Sequence, residues 1–430
     1  MSRKNIFKKI RNVWNTLVSK ETPRELQERN DLYKVALAST YRKIRLDNCS
    51  SKAVKSGLTN EELGDIFDLA SESLESEAKA HELPIRSLRH HVQSLIQPQA
   101  LDILNACKEV DTELQVVNGD HDKTMILIEK CRVILLHEQS KLKEKLDATT
   151  SNKVQQEYFK QKFTAIQILS DYYDWNSPLK SAMCDYDFAA GLGKGDAFGY
   201  YLNKDESINK AIRHYQLINM TKALLLRDRL GYSSISLKST ITDAGRGVFI
   251  DGFAPAGSLI AFFGGRVWPK EYLLNVNASS NMFENDPKQQ LSMRYDDVLI
   301  DSRNSPYTVL DNENSNAFAL AHIVNHPARL ETPNCSTVMV DFMEKMKLGK
   351  DGLDKYVPNT YIKPPMLFGP NTMDREKVSM HSFGLVSTRD VENEEIFYDY
   401  RLSGNKSEHP DWYHIVNEEE SRNRWLNSNS

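Results

Sequence analysis

Residues 387–400 read Ser-Thr-Arg-Asp-Val-Glu-Asn-Glu-Glu-Ile-Phe-Tyr-Asp-Tyr, an acidic turn followed by a short β-branched and aromatic run that predicts a strand. Two blocks precede this stretch in the chain. One is Asp243-Ala244-Gly245-Arg246-Gly247-Val248-Phe249, whose glycines permit a tight turn and a close backbone approach to a ligand. The other is Asn325-His326, with Pro333-Asn334-Cys335 shortly after it. Each block alone is common, so the information lies in their order and separation.

The three blocks lie in a region whose residue pattern differs from that of the rest of the chain. From Gly231 onward, glycines, prolines and short β-branched runs replace long amphipathic patterns. The runs predict strands at 239–250, 258–263, 298–300, 337–340, 381–388 and 395–398. This pattern indicates a β-rich domain of small sheets.

The preceding region, residues 22–230, has the pattern of helices. Thr22–Glu25 and Thr59–Glu62 are capping boxes, and apolar residues recur at helical spacing through 122–146, 153–173 and 207–230. A glycine-rich run at 191–196 lacks the spacing of a phosphate-binding loop, which favours a flexible connection. We therefore expect an α+β protein with a helical N-terminal half and a β-rich domain after it.

Residues 1–21 form a basic amphipathic segment. The first twenty residues contain six Lys or Arg and no Asp or Glu, with an apolar stripe at helical spacing. Such a helix can be a mitochondrial presequence, a membrane-surface helix or a helix that docks on the rest of the protein. The sequence leaves these alternatives open.

Composition narrows the class of protein. No run approaches 18 apolar residues, so we expect no transmembrane segment and an intracellular protein, cytoplasmic or nuclear, or mitochondrial through its N-terminal helix. Five scattered cysteines without a Cys-x-x-Cys pair indicate reduced thiols and no structural zinc. From Thr240 onward there are 19 basic and 27 acidic residues, a balance of −8. This charge argues against direct nucleic acid binding and suits a basic peptide partner, although an ordinary solvated surface explains it as well.

Taken in order, the three blocks resemble the SET-domain family of protein-lysine methyltransferases. That family shows a Gly-x-Gly strand, an Asn-His motif followed by Pro-Asn-Cys, and an acidic turn leading to an Asp-Tyr pair. The resemblance covers about residues 230–402. It divides the chain into the basic segment at 1–21, the helical region at 22–230, a SET domain at 231–402 and a C-terminal extension at 403–430.

The resemblance implies a function and a set of site residues. The cofactor would be S-adenosyl-L-methionine and the substrate a protein that presents a lysine, with the helical region available for a further protein partner. Tyr400 would be the catalytic tyrosine, and Tyr398, two residues before it, would influence how many methyl groups are added. Asn325 and His326 would contact the cofactor, and Arg246 and Gly247 would offer it backbone groups.

Several departures from the family pattern keep an alternative open, a non-catalytic SET-fold scaffold or binding protein. The usual Arg-Phe-Ile-Asn-His-Ser-Cys reads Ala-His-Ile-Val-Asn-His-Pro at 321–327, and the glycine of the acidic turn is Asn393. No cysteine follows Tyr400, so a zinc-binding segment after the domain is absent, and the aromatics of Asp411-Trp412-Tyr413 could wall the substrate channel instead. His322 and His326 are spaced like a helical metal pair, but without an evident third ligand we expect no metal.

Overall fold

The computed structural model describes residues 23–48, 68–71, 84–116, 133, 222–270, 273, 291–303, 316–362, 378–402 and 409–425. These residues form an α+β fold of helices and small antiparallel and mixed sheets, as the sequence predicts, and the helical N-terminal half is seen in part. The N-terminal segment 1–21, both capping-box threonines, the glycine-rich run at 191–196 and, apart from residue 133, the predicted helices at 122–146 and 153–173 lie outside the described residues.

Two long helices and several shorter helical segments are described, one of them at 68–71. Helix α1 spans Pro23–Asn48, with the proline at its first position, where a missing N–H costs nothing. Helix α2 spans Ile85–Val116, a helical segment covers 222–230, and helix α3 spans Glu418–Trp425. The segment at 222–230 ends at Gly231, which adopts φ 86° and donates its N–H to the Arg227 carbonyl at 2.8 Å. This left-handed cap explains why the sequence pattern changes at that glycine.

Ten short strands form three sheets. The strands are β1 (Tyr232–Lys238), β2 (Arg246–Ala254), β3 (Leu259–Phe262), β4 (Gly265–Trp268), β5 (Leu291–Met293), β6 (Leu299–Asp301), β7 (Cys335–Met343), β8 (Asn359–Tyr361), β9 (Val378–Ser387) and β10 (Val391–Glu392). The strand orders are β1-β2-β10, β3-β9-β7 and β5-β6-β4-β8, and the β4–β8 pair is parallel whereas the others are antiparallel. Short 3₁₀ helices occur at Ala321–Ile323, Glu344–Met346, Leu348–Asp351 and Asp354–Tyr356.

Two of the predicted strands need correction. The run 239–250 was predicted as one strand, but residues 239–245 form the turn between β1 and β2, in which Asp243 and Gly245 have φ values of 63° and 76°. The run 395–398 forms no named strand. It makes one bridge on each side, Phe249 with Glu395 and Asn325 with Phe397, because two different segments flank it.

One hydrophobic core runs through helices and sheets together. Leu32 and Val35 of α1 and Ile96 and Leu104 of α2 belong to the same buried cluster as Ile260 of β3. The described helices are therefore packed against the β-rich part.

Two simple sequence expectations can be compared with the described residues. Cys107 and Cys335 are buried free thiols. Across the described ranges, no helix combines the length and apolar character that crossing a membrane requires.

Candidate active site

The three sequence blocks meet around the segment at 395–398. On one side, Glu395 bridges to Phe249 of β2, the last residue of the glycine block. On the other side, Phe397 bridges to Asn325, and the Tyr398 N–H donates to the Asn325 carbonyl at 3.3 Å. The aromatic run that follows the acidic turn thus lies between the glycine strand and the Asn-His segment.

The Pro-Asn-Cys block fastens this segment. Asn334 is buried, and its side-chain amide donates to the Glu395 carbonyl at 2.9 Å while its Oδ1 accepts the Phe397 N–H at 2.8 Å. The Asn334 and Cys335 N–H groups both donate to the Phe397 carbonyl. A side chain that bonds to both a donor and an acceptor of a neighbouring backbone segment fixes the register of that segment.

The Glu395 carboxylate ties the acidic turn to the β1–β2 turn. It is buried and accepts bonds from the Ser239 hydroxyl at 2.8 Å, from the Thr240 N–H and hydroxyl at 2.6 Å each, and from the Asn325 amide at 3.1 Å. A buried carboxylate requires this number of donors to offset its lost hydration. Sequence reasoning quoted Glu395 as part of the turn but assigned it no role at the site.

Gly247 is needed because of this carboxylate. A Cβ at Gly247 would lie 1.9 Å from Glu395 Oε1 and 3.1 Å from Asn325 Nδ2. At Gly245, by contrast, nothing lies within 4 Å of the corresponding position. The glycine block therefore has one face closed by the protein itself and one face open.

Asn325 and Arg246 are bonded to each other. The Asn325 amide donates to the Arg246 carbonyl at 3.1 Å, in addition to its bonds with Glu395 and with the Ser239 hydroxyl at 3.1 Å. The Arg246 guanidinium donates along β1 to the hydroxyl and carbonyl of Ser236, and burial lowers its pKa. In this structure the Asn325 amide braces the glycine block.

His326 lies beside Tyr400 in a buried position. The Tyr400 N–H donates to Nδ1 at 3.4 Å, so Nε2 carries the proton and donates to the His414 carbonyl at 2.9 Å. Burial lowers the pKa of His326, although the carboxylate of Asp399, 3.9 Å from Nδ1, acts in the opposite direction. The imidazole is therefore neutral at neutral pH.

Tyr400 lies where the blocks converge. Its hydroxyl donates to the Val324 carbonyl at 2.8 Å, and burial raises its pKa to about 12. The Tyr398 ring lies 4.9 Å from the Tyr400 ring and packs edge-on against Phe263 at 5.8 Å, and burial also raises the pKa of Tyr398. Both tyrosines therefore carry protonated hydroxyls at neutral pH.

The C-terminal aromatics cover this corner. The Trp412 ring lies 6.0 Å from that of Tyr400, and the Tyr413 ring lies 4.7 Å from that of His326. The Tyr413 hydroxyl accepts the Leu402 N–H at 3.2 Å. Trp412 remains 58% exposed, so it forms part of the rim of the site.

Comparison with known proteins adds little. No family model matches the chain, and no curated protein matches it. Among solved structures, the crystal structure of CpSET8 from Cryptosporidium is similar at 11% identity and a TM-score of 0.24, covering 56% of this chain and 96% of that chain. A similarity this distant carries no information about the chemistry of the site.

The structure thus brings all six predicted site residues into one region. These are Arg246, Gly247, Asn325, His326, Tyr398 and Tyr400. Within the described ranges, no group of three or more His, Cys, Asp or Glu side chains could hold a metal ion. His322, the other member of the histidine pair, has both ring nitrogens buried without a hydrogen-bond partner in the described part of the chain.

Proposed function

We propose that this chain is a SET-type protein-lysine N-methyltransferase that uses S-adenosyl-L-methionine. The observation that supports this most is the convergence of three separated blocks on one half-buried tyrosine. The Tyr400 hydroxyl is bonded to the carbonyl of Val324, the residue before Asn325-His326, and the segment that carries it is held by Asn334 and Glu395. A tyrosine fixed from three sides is a preorganised dipole.

The residues at the glycine block suit a polar cofactor. The open side of Gly245 leaves room for a ligand next to the backbone of Arg246 and Gly247. Asn325, whose amide meets the Arg246 carbonyl, lies at the other side of the same corner, and the neutral His326 follows it in the chain. We propose that these four residues hold S-adenosyl-L-methionine, which, when bound, supplies an electrophilic methyl group on a sulfonium.

The residues of this chain would then prepare the lysine. Transfer needs a neutral amine in line with the methyl group, and an apolar enclosure lowers the pKa of a lysine by desolvation. The Tyr400 hydroxyl stays protonated because its pKa is about 12, so it acts through its dipole and not as a base. Since its proton is directed at the Val324 carbonyl, its oxygen lone pairs can accept an N–H from the amine.

Tyr398 leads us to propose monomethyllysine as the product. Its ring stands between Phe263 and Tyr400. A hydroxyl here can hold a water beside the lysine nitrogen and occupy the space that a methylated amine needs in order to turn. Mass spectrometry of a substrate found by proteome-wide labelling tests this, and abundant trimethyllysine from the wild type would refute it.

The finer part of the proposal concerns the place within the family. We propose that the run from Leu230–Ser233 through Gly247–Phe249 and the later Val298–Asp301 place the chain near SET domain-containing protein 9.

A non-catalytic SET-fold scaffold or binding protein is the second candidate. One observation favours it. The Asn325 amide and the Arg246 carbonyl, which would both face a cofactor, are bonded to each other. A protein that had lost its cofactor would show the same internal pairing.

Calorimetric titration of the full chain with S-adenosyl-L-methionine separates the two candidates. We expect saturable binding by the wild type and strong weakening in Asn325→Ala, because that change leaves buried polar groups unpaired. Gln97→Ala, on α2, is the control and should bind normally. Absence of binding at millimolar cofactor would reject the methyltransferase and favour the scaffold.

A further inference from the structure

Helix α1 buries a polar stripe against the rest of the protein. Gln27, Glu28 and Asp31 are only 4%, 2% and 2% exposed, although they lie on the same helix as the apolar core residues Leu32 and Val35. Burying a carboxylate costs free energy unless charged and hydrogen-bonding partners compensate it. The bonding partners of these three residues therefore identify the segments that this face of α1 fixes in place.

Asp31 holds Arg401, the residue directly after Tyr400. The guanidinium donates to both carboxylate oxygens, from Nη2 to Oδ1 at 2.6 Å and from Nη1 to Oδ2. The Tyr295 hydroxyl donates to Asp31 Oδ2 at 2.5 Å and accepts from Arg401 Nη1 at 3.2 Å. A two-point bond of this kind fixes the direction of the arginine as well as its distance.

The charge state of this pair is secure. Burial alone raises the pKa of Asp31, but the charge and hydrogen bonds of Arg401 outweigh it and hold that pKa below its usual value. Burial likewise opposes the charge on Arg401, and Asp31 more than compensates. Both groups are ionised at neutral pH, so each depends on the other.

The backbone at Arg401 needs such a restraint. Arg401 adopts φ 54°, a left-handed conformation that residues other than glycine rarely adopt, and its N–H donates to Asp399 Oδ1 at 3.0 Å. The chain turns sharply at this point, immediately after the tyrosine whose hydroxyl meets the Val324 carbonyl. A change in how Arg401 is held alters where that turn begins.

Helix α1 also holds the segment that covers the site. Glu420 of α3 accepts from Gln27 at 2.8 Å and pairs with Lys34 at 3.4 Å, and it lies 3.9 Å from Arg401. Helix α3 follows the aromatic residues 412–414 that pack on His326 and Tyr400. Helix α1 therefore holds both the residue after Tyr400 and the helix that follows its aromatic cover.

We propose that Asp31, about 370 residues before the tyrosine in sequence, is a positioning residue for methyl transfer that orients Tyr400 through Arg401. The inference rests on the proposed function. It assigns the N-terminal helix a part in the chemistry, although no atom of Asp31 needs to touch cofactor or lysine.

The test compares Asp31→Asn with Glu28→Gln in the full chain. Glu28 is the matched control because it is equally buried on α1 and paired with an arginine, but that arginine is Arg89 of α2. The assay uses radiolabelled S-adenosyl-L-methionine and a peptide library with one fixed central lysine. Rates are normalised to the cofactor-binding stoichiometry, so that partly unfolded protein does not count.

We expect Asp31→Asn to lower the normalised rate at saturating cofactor by about ten- to a hundred-fold, since small misplacements of a reacting group have effects of this size. Its KM for S-adenosyl-L-methionine should stay within about two-fold of the wild type, because the cofactor residues are held by Glu395 and Asn334. Glu28→Gln should keep the wild-type normalised rate. Equal rates in the two variants would overturn the proposal.

Hydrogen exchange of the amides at 398–402 gives a second readout that needs no activity. Exchange should become faster in Asp31→Asn and stay unchanged in Glu28→Gln. Unchanged exchange in Asp31→Asn overturns the anchoring. Faster exchange with an unaltered normalised rate overturns the role in transfer. If the wild type neither binds cofactor nor transfers a methyl group, the proposed function fails, and faster exchange in Asp31→Asn then still establishes the anchoring by itself.

Discussion

The Tyr400 hydroxyl is a single atom on which the proposed chemistry depends. Tyr400→Phe removes it and keeps the ring packed between Tyr398 and Trp412. The Val324 carbonyl then loses its donor, so we expect a loss of about 1 to 2 kcal/mol in the free energy of unfolding. Methyl transfer should fall by at least about 100-fold, because a preorganised dipole is lost. Initial rates and urea unfolding measure the two effects.

A tyrosine outside the site provides the control for that experiment. The Tyr361 hydroxyl bonds to His381 Nδ1 at 2.5 Å and accepts the His381 N–H at 3.1 Å, between strands β8 and β9. Tyr361→Phe should therefore lower stability to a similar extent while leaving transfer intact. Full activity in Tyr400→Phe would remove the catalytic assignment.

Gly247 offers a test of the site's construction. Gly247→Ala places a Cβ 1.9 Å from Glu395 Oε1, and that carboxylate cannot move away without breaking several buried hydrogen bonds. We expect a loss of about 1 to 3 kcal/mol in stability, as for other overpacked sites, together with weaker cofactor binding. Gly349→Ala, where nothing lies within 4 Å of the new Cβ, should change neither quantity. Normal cofactor binding by Gly247→Ala would mean that the packing of Gly247 against Glu395 is not needed for the cofactor site.

At the residue scale, the sequence indicates which residues lie together in the structure, but not the contacts that they make. The order of the three blocks singled out Asn325, His326 and Tyr400, and the structure brings them together. The bonding of Glu395 to Ser239 and Thr240 could not be predicted, because about 155 residues separate the partners. Asp31 gave no signal either, since one acidic residue in an amphipathic helix ordinarily faces solvent.

At the element scale, helix α2 protects both edges of the β3-β9-β7 sheet with glutamines. Gln93 donates to the Met339 carbonyl at 2.5 Å and accepts the Asp341 N–H at 3.1 Å, along the edge strand β7. Gln99 does the same at β3, donating to the Gly257 carbonyl and accepting the Leu259 N–H, both at 3.0 Å. Each carboxamide substitutes for a neighbouring strand, which leaves these edge groups satisfied.

Replacing the buried Gln99 tests this arrangement. Gln99→Leu leaves the Gly257 carbonyl and the Leu259 N–H without partners, and each buried unpaired group costs about 1 to 3 kcal/mol. Urea unfolding should therefore show a loss of about 2 to 4 kcal/mol. Gln97→Leu is the control, because Gln97 makes a single backbone bond, to the Asp341 carbonyl at 3.0 Å, and should lose about 1 kcal/mol. Equal losses in the two variants would show that the paired bonding of Gln99 has no special weight.

The strands show which elements the sequence pattern can predict. The predicted runs 258–263, 337–340 and 381–388 correspond to β3, β7 and β9, which are long or fully buried and pair with each other. Strands β4, β5 and β8 went unpredicted, because Arg266, Ser292 and Thr360 interrupt runs that are too short to show a period. Strand β1 was missed because its hydrophobic pattern is interrupted by Ser233, Ser234 and Ser236, of which Ser234 donates to the Ile260 carbonyl.

At the scale of the whole molecule, helices and sheets contribute to one core and to one site. Val92, Ile96 and Ile103 of α2 pack in the same buried cluster as the β3-β9-β7 sheet, and Gln93 and Gln99 lie among them on the same helix. Helix α1 adds Asp31, which holds Arg401. The helices therefore stabilise the β-rich part by burial and hold the segment at Arg401 by charge.

Two histidines, the buried His326 and the half-buried His322, couple the stability of this assembly to pH. Burial lowers the pKa of His322 to about 4 and also lowers that of His326, so both are neutral in the folded protein. In the unfolded chain a histidine has a pKa of about 6.5. The unfolded state therefore takes up protons first as the pH falls. The stability from the neutral His322 imidazole is complete above pH ~6.5 and is lost progressively towards its folded pKa of about 4, and that from His326 is lost in the same direction.

Replacing His322 by leucine isolates this effect. Between pH 7.5 and pH 4.5 the wild type should lose about 2 to 3 kcal/mol through His322 alone, from the difference between a pKa of about 4 and one of about 6.5. Asp31 and the other carboxylates with lowered pKa values lose their contribution at lower pH and equally in both proteins, so they cancel. Urea unfolding at pH 7.5, 6.0 and 4.5 should therefore show His322→Leu gaining about 2 to 3 kcal/mol relative to the wild type as the pH falls, whatever its stability at pH 7.5. His90→Gln, at an exposed position, should follow the wild type at every pH. Parallel pH curves for His322→Leu and the wild type would show that His322 is protonated in the folded protein as readily as in the unfolded chain.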